Sequence, residues 1–551
     1  VIVEALSLVA GMVIETDLVV VGAGPGALAL ALQFLGTSTR VAVLETGGLA
    51  EDALANATSN LDSASRYGGE NRIENTRRLG GNANVWSIQT SQGHRNVRFA
   101  TYTEGDFAER AWMPESGWPI GYADYSDAMR RARITTGLPE AGFSAAEWAD
   151  NEATPFALNG AQVQTSIFQF ANGEAYLADA RARLEAAPNI TIYPHAHAVE
   201  LMTRPDGARI EAVRALADPG HELTFKANRF VLAGGGLACP QILLNSTTHT
   251  PNGVGNAHDT VGRWFMDHPL IDGGDLVPAD KSVFDRNTLY DLRTVRGTPV
   301  MGFLAPTDRA MAENPIVNLN LILFPVEADY RRNRDLSDRQ ALAFYSSVRV
   351  RDALRNRQRP LLRDLFAATI GADGIVKHVL DQKKHPKFNL GRGGWSELDS
   401  RSSRFDVFEV LHVAEQAPHR DNRVSLGNER DRYGQRRVKI DWTFTEEDNA
   451  AIMRSQDFVA GELRHAGLGE WRIARDNGKP VIKSASTGHF LGATRMSTDP
   501  REGVVDPNCR VHGVENLWIA SSSVFPTGGF ANPTLSICAF GIRIADALKA
   551  A

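Results

Sequence analysis

Cysteine is scarce in this chain of 551 residues. Cys239, Cys509 and Cys538 are odd in number and form no CxxC pair, which argues against a disulfide framework, structural zinc or an iron–sulfur cluster. A reducing cytoplasm fits this thiol usage best. No CxxCH haem attachment is present, so any cytochrome partner would be a separate chain. No apolar run is long enough to span a bilayer, which speaks against a membrane protein. Positive charge is not in excess either. Lys and Arg number 59 against 65 Asp and Glu, and the net charge of -6 gives no footprint for nucleic acid. No metal site is expected. What remains, 43% hydrophobic and 23% charged residues, is the composition of a soluble globular protein. The length allows two or more domains and a large core. The opening VIVEALSLVAG is apolar but lacks the basic start of a signal peptide. It reads either as translation from an upstream start, with Met12 the natural beginning, or as a short extra strand or helix.

Residues 17–21, DLVVV, have the pattern of a buried strand. GAGPGA follows, then a helical LALALQFLG and a second strand, RVAVLE. Gly22 and Gly24 take the first two positions of a dinucleotide fingerprint, with Pro25 and Gly26 between them and Ala27 at the third, where a small residue suffices. Gly24 allows a pyrophosphate to approach the backbone at the helix start. Glu45 ends the second strand, placed to accept from an adenosine ribose. This context predicts dinucleotide binding, the alternative being a tight turn with close helix–strand packing. It does not separate FAD from NAD. No second such unit follows, so one dinucleotide is expected.

Residues 51–74 read as a polar loop, and TRRLGGNANVWS follows. Gly80 and Gly81 allow a turn with exposed amides, a nest for phosphate or a ring edge. Trp86 either flanks a cofactor or belongs to the core. Residues 140–175 read as irregular, as in a lid. Helix and strands over 175–236 return the chain to the parallel sheet. His195 and His197 near its bend read as surface or satisfied core histidines. Residues 271–486 carry alternating strands that predict an antiparallel sheet, and an Arg-dense stretch at 330–364 that reads as solvated helix faces.

The C-terminal stretch holds the chemistry. His489, in GHFLGATRM, and Asn532, in GGFANPTLS, stand 43 positions apart, each beside turn-forming residues. Asn532 and Pro533 open a long apolar helical pattern as N-cap and first helical residue. A base and an amide at a helix start suit a carbonyl or an anion. The alternative is a capped helix and a buried histidine. If the Asn532 side chain caps its own helix, it is not free for substrate.

In this order, GAGPGA with Glu45, RRLGGNANVW, VLAGGGLACPQILLNS and the C-terminal stretch resemble the glucose–methanol–choline (GMC) flavin oxidoreductases, with motifs most like the fructose dehydrogenase and pyranose oxidase-like branch. The resemblance implies an α/β FAD-binding Rossmann-like domain plus an α+β substrate domain with an antiparallel sheet, the p-hydroxybenzoate hydroxylase-like arrangement. The FAD-binding domain would comprise residues 12–105, 186–270 and 487–551. Residues 106–185 would form a helical or lid segment partly in the substrate domain, and 271–486 the substrate domain itself. It carries the family's catalytic histidine onto His489 and that residue's partner onto Asn532. It extends the cofactor-binding set to Thr46, Arg78, Asn84, Val85, Val199, Ala233, Gly234, Ser521, Ser522 and Thr534, beside the glycines, Trp86 and Pro533. Val85 stands where related enzymes place a flavin-bonded histidine, so the FAD is expected to be non-covalent. Phe490 and Ala493 depart from the family's usual Pro and Thr and alter the pocket lining. Gln416 and Phe490 are candidate substrate contacts, Gln416 being equally readable as a structural amide. His512 reads as structural.

The expected activity is oxidation of a sugar, glycoside or polyol hydroxyl to a carbonyl, with oxygen or a quinone-like acceptor and a homo-oligomer as a further possibility. A lyase with structural FAD and a non-catalytic flavoprotein are the competing classes.

Overall fold

The computed structural model describes residues 1–67, 76–85, 88–89, 95–326, 359–370 and 393–550, with a few isolated positions between 343 and 354. Trp86 and most of the Arg-dense stretch lie outside the described residues.

Five short strands form a fully parallel sheet in the order Leu517–Ile519, Arg229–Leu232, Leu18–Val21, Val41–Leu44, Ile190–Tyr193. Val19, Val20, Val43, Phe230 and Val231 in it are all but inaccessible to solvent. Burial on both faces explains why these strands read as unbroken apolar runs rather than alternating ones. The strands come from segments far apart in sequence, so the sheet closes only when the last 40 residues return to it. Helix Pro25–Leu32 covers one face and packs against helix Thr534–Ala550, which packs in turn on helix Tyr122–Thr135. Glycines let the first two helices touch. A Cβ on Gly541 would meet the Gly26 carbonyl oxygen at 2.4 Å, and one on Gly26 would meet Ile537 Cγ2 at 2.7 Å. A second sheet of four strands, Val13–Glu15, His221–Lys226, Ile210–Asp218 and His197–Thr203, lies beside this layer.

A large antiparallel sheet makes the other half. Its core strands run in the order Leu270–Pro278, Val407–Ala414, Leu319–Val326, Thr298–Pro306, Val163–Asn172, Arg95–Phe99. Helix Glu446–His465 covers it through Ala451, Ile452, Val459, Ala460 and Leu463. A reciprocal Thr445–Asp448 capping box starts that helix. The fold is thus an α/β Rossmann-like layer joined to an α+β unit with an antiparallel sheet.

Two expectations need correction. Residues 163–172 are not irregular but a ten-residue strand near the middle of the large sheet. Its inner half, Ile167 to Ala171, is buried without a break, which erases the alternation that marks a half-exposed strand. Arg95–Phe99, placed in the first dinucleotide-binding segment by the expected boundary at 105, pairs into the large sheet instead. Residues 1–11 follow the extra-element reading. Ile2 bridges Ile192 at the edge of the parallel sheet, and Ala5 is fully buried in a single 3-10 turn.

Candidate active site

The glycine turn after Leu18–Val21 opens onto a cleft. Its walls include Gly22, Gly24, Pro25, Gly26, Glu45, Thr46, Gly81, His197, Ala233, Gly234, Gly488, Phe490, Ser522 and Pro533. Gly22 has φ +103°, and a Cβ there would lie 2.6 Å from the Ala233 carbonyl oxygen, so only glycine fits. At Gly24 a Cβ would meet nothing within 4 Å: the space over the helix start is open. Glu45 braces this turn, its carboxylate accepting from Ala23 N at 3.0 Å and Gly47 N at 3.1 Å. Ala27 sits behind the turn, fully buried.

Next in sequence to the cleft-lining residues Gly488, Phe490 and Pro533, Asn532 Nδ2 lies 3.0 Å from His489 Nε2. Arg98 Nε donates to Asn532 Oδ1 at 3.1 Å. A guanidinium can only donate, so it holds the amide oxygen to itself and turns the Asn532 N–H toward His489. The Nε2 atom must then accept, which leaves it unprotonated and able to act as a base. The Asn532 side chain is engaged by His489 and Arg98, which removes the conflict between capping and substrate binding. The His489 pKa is held well below its ordinary value, first by burial and then by the positive potential of His268 and Arg98. Arg98 is itself buried over the Phe168 ring, 4.4 Å from its centroid. Burial lowers its pKa to about 10, and its Nη1 has no partner among the described residues.

The backbone carrying His489 is fixed by the carboxylate of Asp267, which is fully buried. It accepts from His489 N at 3.0 Å, His268 N at 2.7 Å and Tyr67 Oη at 2.6 Å, and from the Ser486 hydroxyl. A second buried carboxylate, Glu415, anchors the loop that leads to Asn532. Its oxygens accept from both terminal nitrogens of Arg110 at 2.7 Å, from Asn318 N at 3.1 Å and from Gly529 N at 3.2 Å. Burial alone would raise the Glu415 carboxyl, but Arg110 holds it below its usual value. Nearby Asp106 is pushed up to about 7, by burial first and then by Glu415.

Several expected contacts fall elsewhere. Gln416 is occupied: its Oε1 accepts from Trp442 Nε1 at 2.9 Å and its Nε2 donates to Thr443 O at 3.1 Å, so it is a structural amide. The amides of Gly80 and Gly81 are not free, because they donate to Ala23 O and Arg78 O. Asn84 closes the same turn by donating to Leu79 O and Gly81 O. Val85 is half-exposed and outside the cleft wall. Val199 is buried, with its carbonyl taken by Gln435. Ser521 accepts from Ser523 N, and Ser522 Oγ donates to Phe490 O. His197, read as structural, lines the cleft with Nδ1 at 3.0 Å from Thr46 Oγ1. His512 Nε2 sits 2.9 Å from Ser497 O, as a structural histidine would. Arg98, Asp267 and His268 were missed. They stand in ordinary strand and loop sequence, without glycine punctuation to mark them.

Comparison with known proteins joins these observations. The GMC oxidoreductase N-terminal and C-terminal family models match residues 132–270 and 418–541. The chain belongs to the GMC oxidoreductase family. Relatives of this GMC oxidoreductase include 6'''-hydroxyparomomycin C oxidase of Streptomyces lividus, 31% identical over 28% of this chain and 29% of that protein. Paromamine 6'-oxidase of Streptomyces fradiae is 33% identical over 26% of each chain. The large subunit of fructose dehydrogenase from Gluconobacter japonicus is 23% identical over 58% of this chain and 47% of the other. The chain thus spans under a third of the length of the first two and about half of the third. A fungal aryl-alcohol oxidase structure superposes with a TM-score of 0.50 at 15% identity, covering 96% of this chain and 98% of that one, which speaks to the fold.

The family binds FAD, and the residues of this GMC oxidoreductase fit that group. The open space over Gly24 is what a diphosphate at a helix start requires. Thr534 Oγ1, Arg78 Nε and His197 Nε2 are buried polar atoms without a hydrogen-bond partner among the described residues, although His197 Nε2 lies 3.7 Å from Asp431 Oδ2, and His197 lines the cleft itself. Buried polar atoms are rarely left unpaired, so such orphans call for a polar guest.

Proposed function

We propose that this protein oxidises an alcohol, of the sugar, glycoside or polyol class, to a carbonyl, with non-covalent FAD held in the cleft. The observation that carries this reading is the 3.0 Å approach of His489 Nε2 and Asn532 Nδ2, whose chain neighbours Gly488, Phe490 and Pro533 line the cleft. FAD, when bound, supplies the acceptor for the hydride. His489 Nε2 takes the hydroxyl proton, and its depressed pKa keeps it neutral and ready at pH 7. Asn532 has a second N–H to donate to the oxygen as its charge develops, with no change of its own protonation. Arg98 keeps that amide from turning over. The N–H groups at the start of helix Thr534–Ala550, together with Pro533 in the cleft wall, favour negative charge on the cofactor side. The sugar-class assignment follows the relatives' substrates, and the electron acceptor is oxygen or a quinone-like molecule.

The test is anaerobic mixing of the FAD-loaded protein with alcohols while flavin absorbance is followed. The wild type should bleach, and His489→Ala should bleach about 10²- to 10⁴-fold more slowly with FAD still bound. An unchanged rate would remove His489 from the mechanism. Turnover of an alcohol without bleaching would point to the lyase reading instead.

A further inference from the structure

The second histidine of the site, His268, has no role in the reading so far. Its side chain is fully buried and lies on the side of His489 away from Asn532. The two Nδ1 atoms are 2.9 Å apart, and His268 Nε2 is 3.2 Å from Gly528 O. Chemistry fixes the direction of this chain at both ends. Gly528 O can only accept, so His268 Nε2 carries a hydrogen. A neutral His268 then has a bare Nδ1, which must accept from His489 Nδ1–H. From the other end, Arg98 orients Asn532 so that His489 Nε2 is bare, which requires the hydrogen on Nδ1. Both ends give the same tautomer. The Thr487 hydroxyl, 3.0 Å from His489 Nδ1, can share that hydrogen as a second acceptor.

We propose that His268 is a positioning residue that fixes His489 with Nε2 bare and receives its Nδ1 proton as Nε2 takes the proton of the alcohol. This inference rests on the oxidation reading above. The balance is simple. The substrate O–H bond breaks and an Nε2–H bond forms on His489, while the His489 Nδ1–H bond breaks and one forms at His268 Nδ1. The hydride leaves carbon for FAD, and one positive charge remains on His268. The surroundings favour that destination. Burial disfavours a cation on either ring, but at His489 the charge of Arg98 adds to that cost, whereas at His268 the carboxylates of Asp267 and Glu415 oppose it. Arg110 and Asp106 stand beyond Glu415 and are already engaged with it or with Asn318. A protonated His268 would keep its donation to Gly528 O.

Two variants and a spectrum test this on FAD-loaded protein. His268→Gln can accept the Nδ1 hydrogen through its amide oxygen but cannot take the proton. His268→Leu can do neither. Both should retain FAD by absorbance, and a variant that loses it is replaced in the comparison by the other. In His268→Gln, anaerobic FAD reduction at saturating substrate should slow at least tenfold with substrate affinity within threefold. The wild-type rate should show a curved proton inventory in mixed H2O and D2O, from two protons in flight, and the Gln variant a linear one. A wild-type rate in His268→Gln, or a linear wild-type inventory, would overturn the relay. Nitrogen-15 histidine NMR of the substrate-free protein reads the tautomer directly. A bare Nε2 on His489 supports the proposal even if no alcohol bleaches the flavin, a result that would sink the oxidation reading alone. A hydrogen on Nε2 overturns this proposal and leaves that reading standing.

Discussion

Replacing Arg98 with Met should spoil the geometry of the site while leaving the fold about as stable as before. The Arg98 guanidinium is buried, and burial brings its pKa down to about 10. At about 1.4 kcal/mol per pKa unit, the charged form is disfavoured in the fold by roughly 3 kcal/mol. The sign follows from proton uptake. Below about pH 10 both folded and unfolded chains hold the proton, so the penalty is fully present at pH 7. It recedes only as pH rises above about 10, where the unfolded chain binds more protons than the folded one. Met abolishes this penalty. It also removes the charge-assisted bond to Asn532 Oδ1, worth about 1.5–3 kcal/mol, and the stacking on Phe168, worth about 1 kcal/mol. The balance is within about 1 kcal/mol. For 551 residues, at about 2.1 cal/mol/K per residue, that moves Tm by only about 1 °C. The amide, freed to turn over, loses its fixed donor, and a lost oriented donor costs about 10²- to 10³-fold in rate. Calorimetry and anaerobic flavin bleaching on the same sample measure both quantities. A fall in Tm of several degrees with an unchanged bleaching rate would refute the reasoning and make Arg98 a packing residue.

Glu415→Gln should destabilise by roughly 3–5 kcal/mol, because it leaves Arg110 buried without its counter-charge. The double replacement of Arg110 by Met and Glu415 by Leu should recover most of that loss, and thermal melts of the single and double variants give the comparison. Acid should unfold the protein early. His197, His268, His412 and His489 all have pKa values lowered by burial, to about 3 for His197 and His412. They stay neutral in the fold while the unfolded chain takes up protons below about pH 6.5. The histidine contribution is therefore intact above that value and falls as pH drops, opposed by Asp106 and Asp291, whose buried carboxyls are pushed up to about 7 and about 6 and take up protons in the fold first; His419, raised by its hydrogen bond to Asp448, has its contribution fully present below that value. With four groups losing and at least two opposing, each by about 1.4 kcal/mol per pH unit, the expected net loss is about 1–3 kcal/mol per pH unit below pH 6, and a urea midpoint that is flat from pH 6 to 4.5 would contradict it. Gly22→Ala should yield protein that holds no flavin, since its Cβ would lie 2.6 Å from the Ala233 carbonyl oxygen; full flavin absorbance in that variant would count against the turn as the cofactor seat.

The dinucleotide turn was legible in the sequence because its signal is local. A strand, three small residues and a helix lie within about 20 positions, and each restricts the backbone on its own account. His489 and Asn532 were found through the turns that carry them. Arg98, Asp267 and His268 were not, because what matters about them is where other segments fold. His268 meets His489 across 221 positions, and Arg98 meets Asn532 across 434. The strand Val163–Asn172 escaped for a related reason: its neighbours bury both its faces over the inner half, and periodicity then carries no information. Gln416 was open to two readings in the sequence, ligand contact and structural amide. A polar residue at a strand end suggests a ligand contact, yet Trp442 and Thr443 had already used its amide.

The contact between Gly26 and Gly541 also governs what can be altered independently. The final helix rests on the phosphate-side helix backbone to backbone, and Asn532 stands two residues ahead of its first turn. The spacing between the Gly22–Gly24 turn and Asn532 is therefore set by one helix packed directly on another. A bulkier residue at the crossing would leave each end intact and put the two out of step.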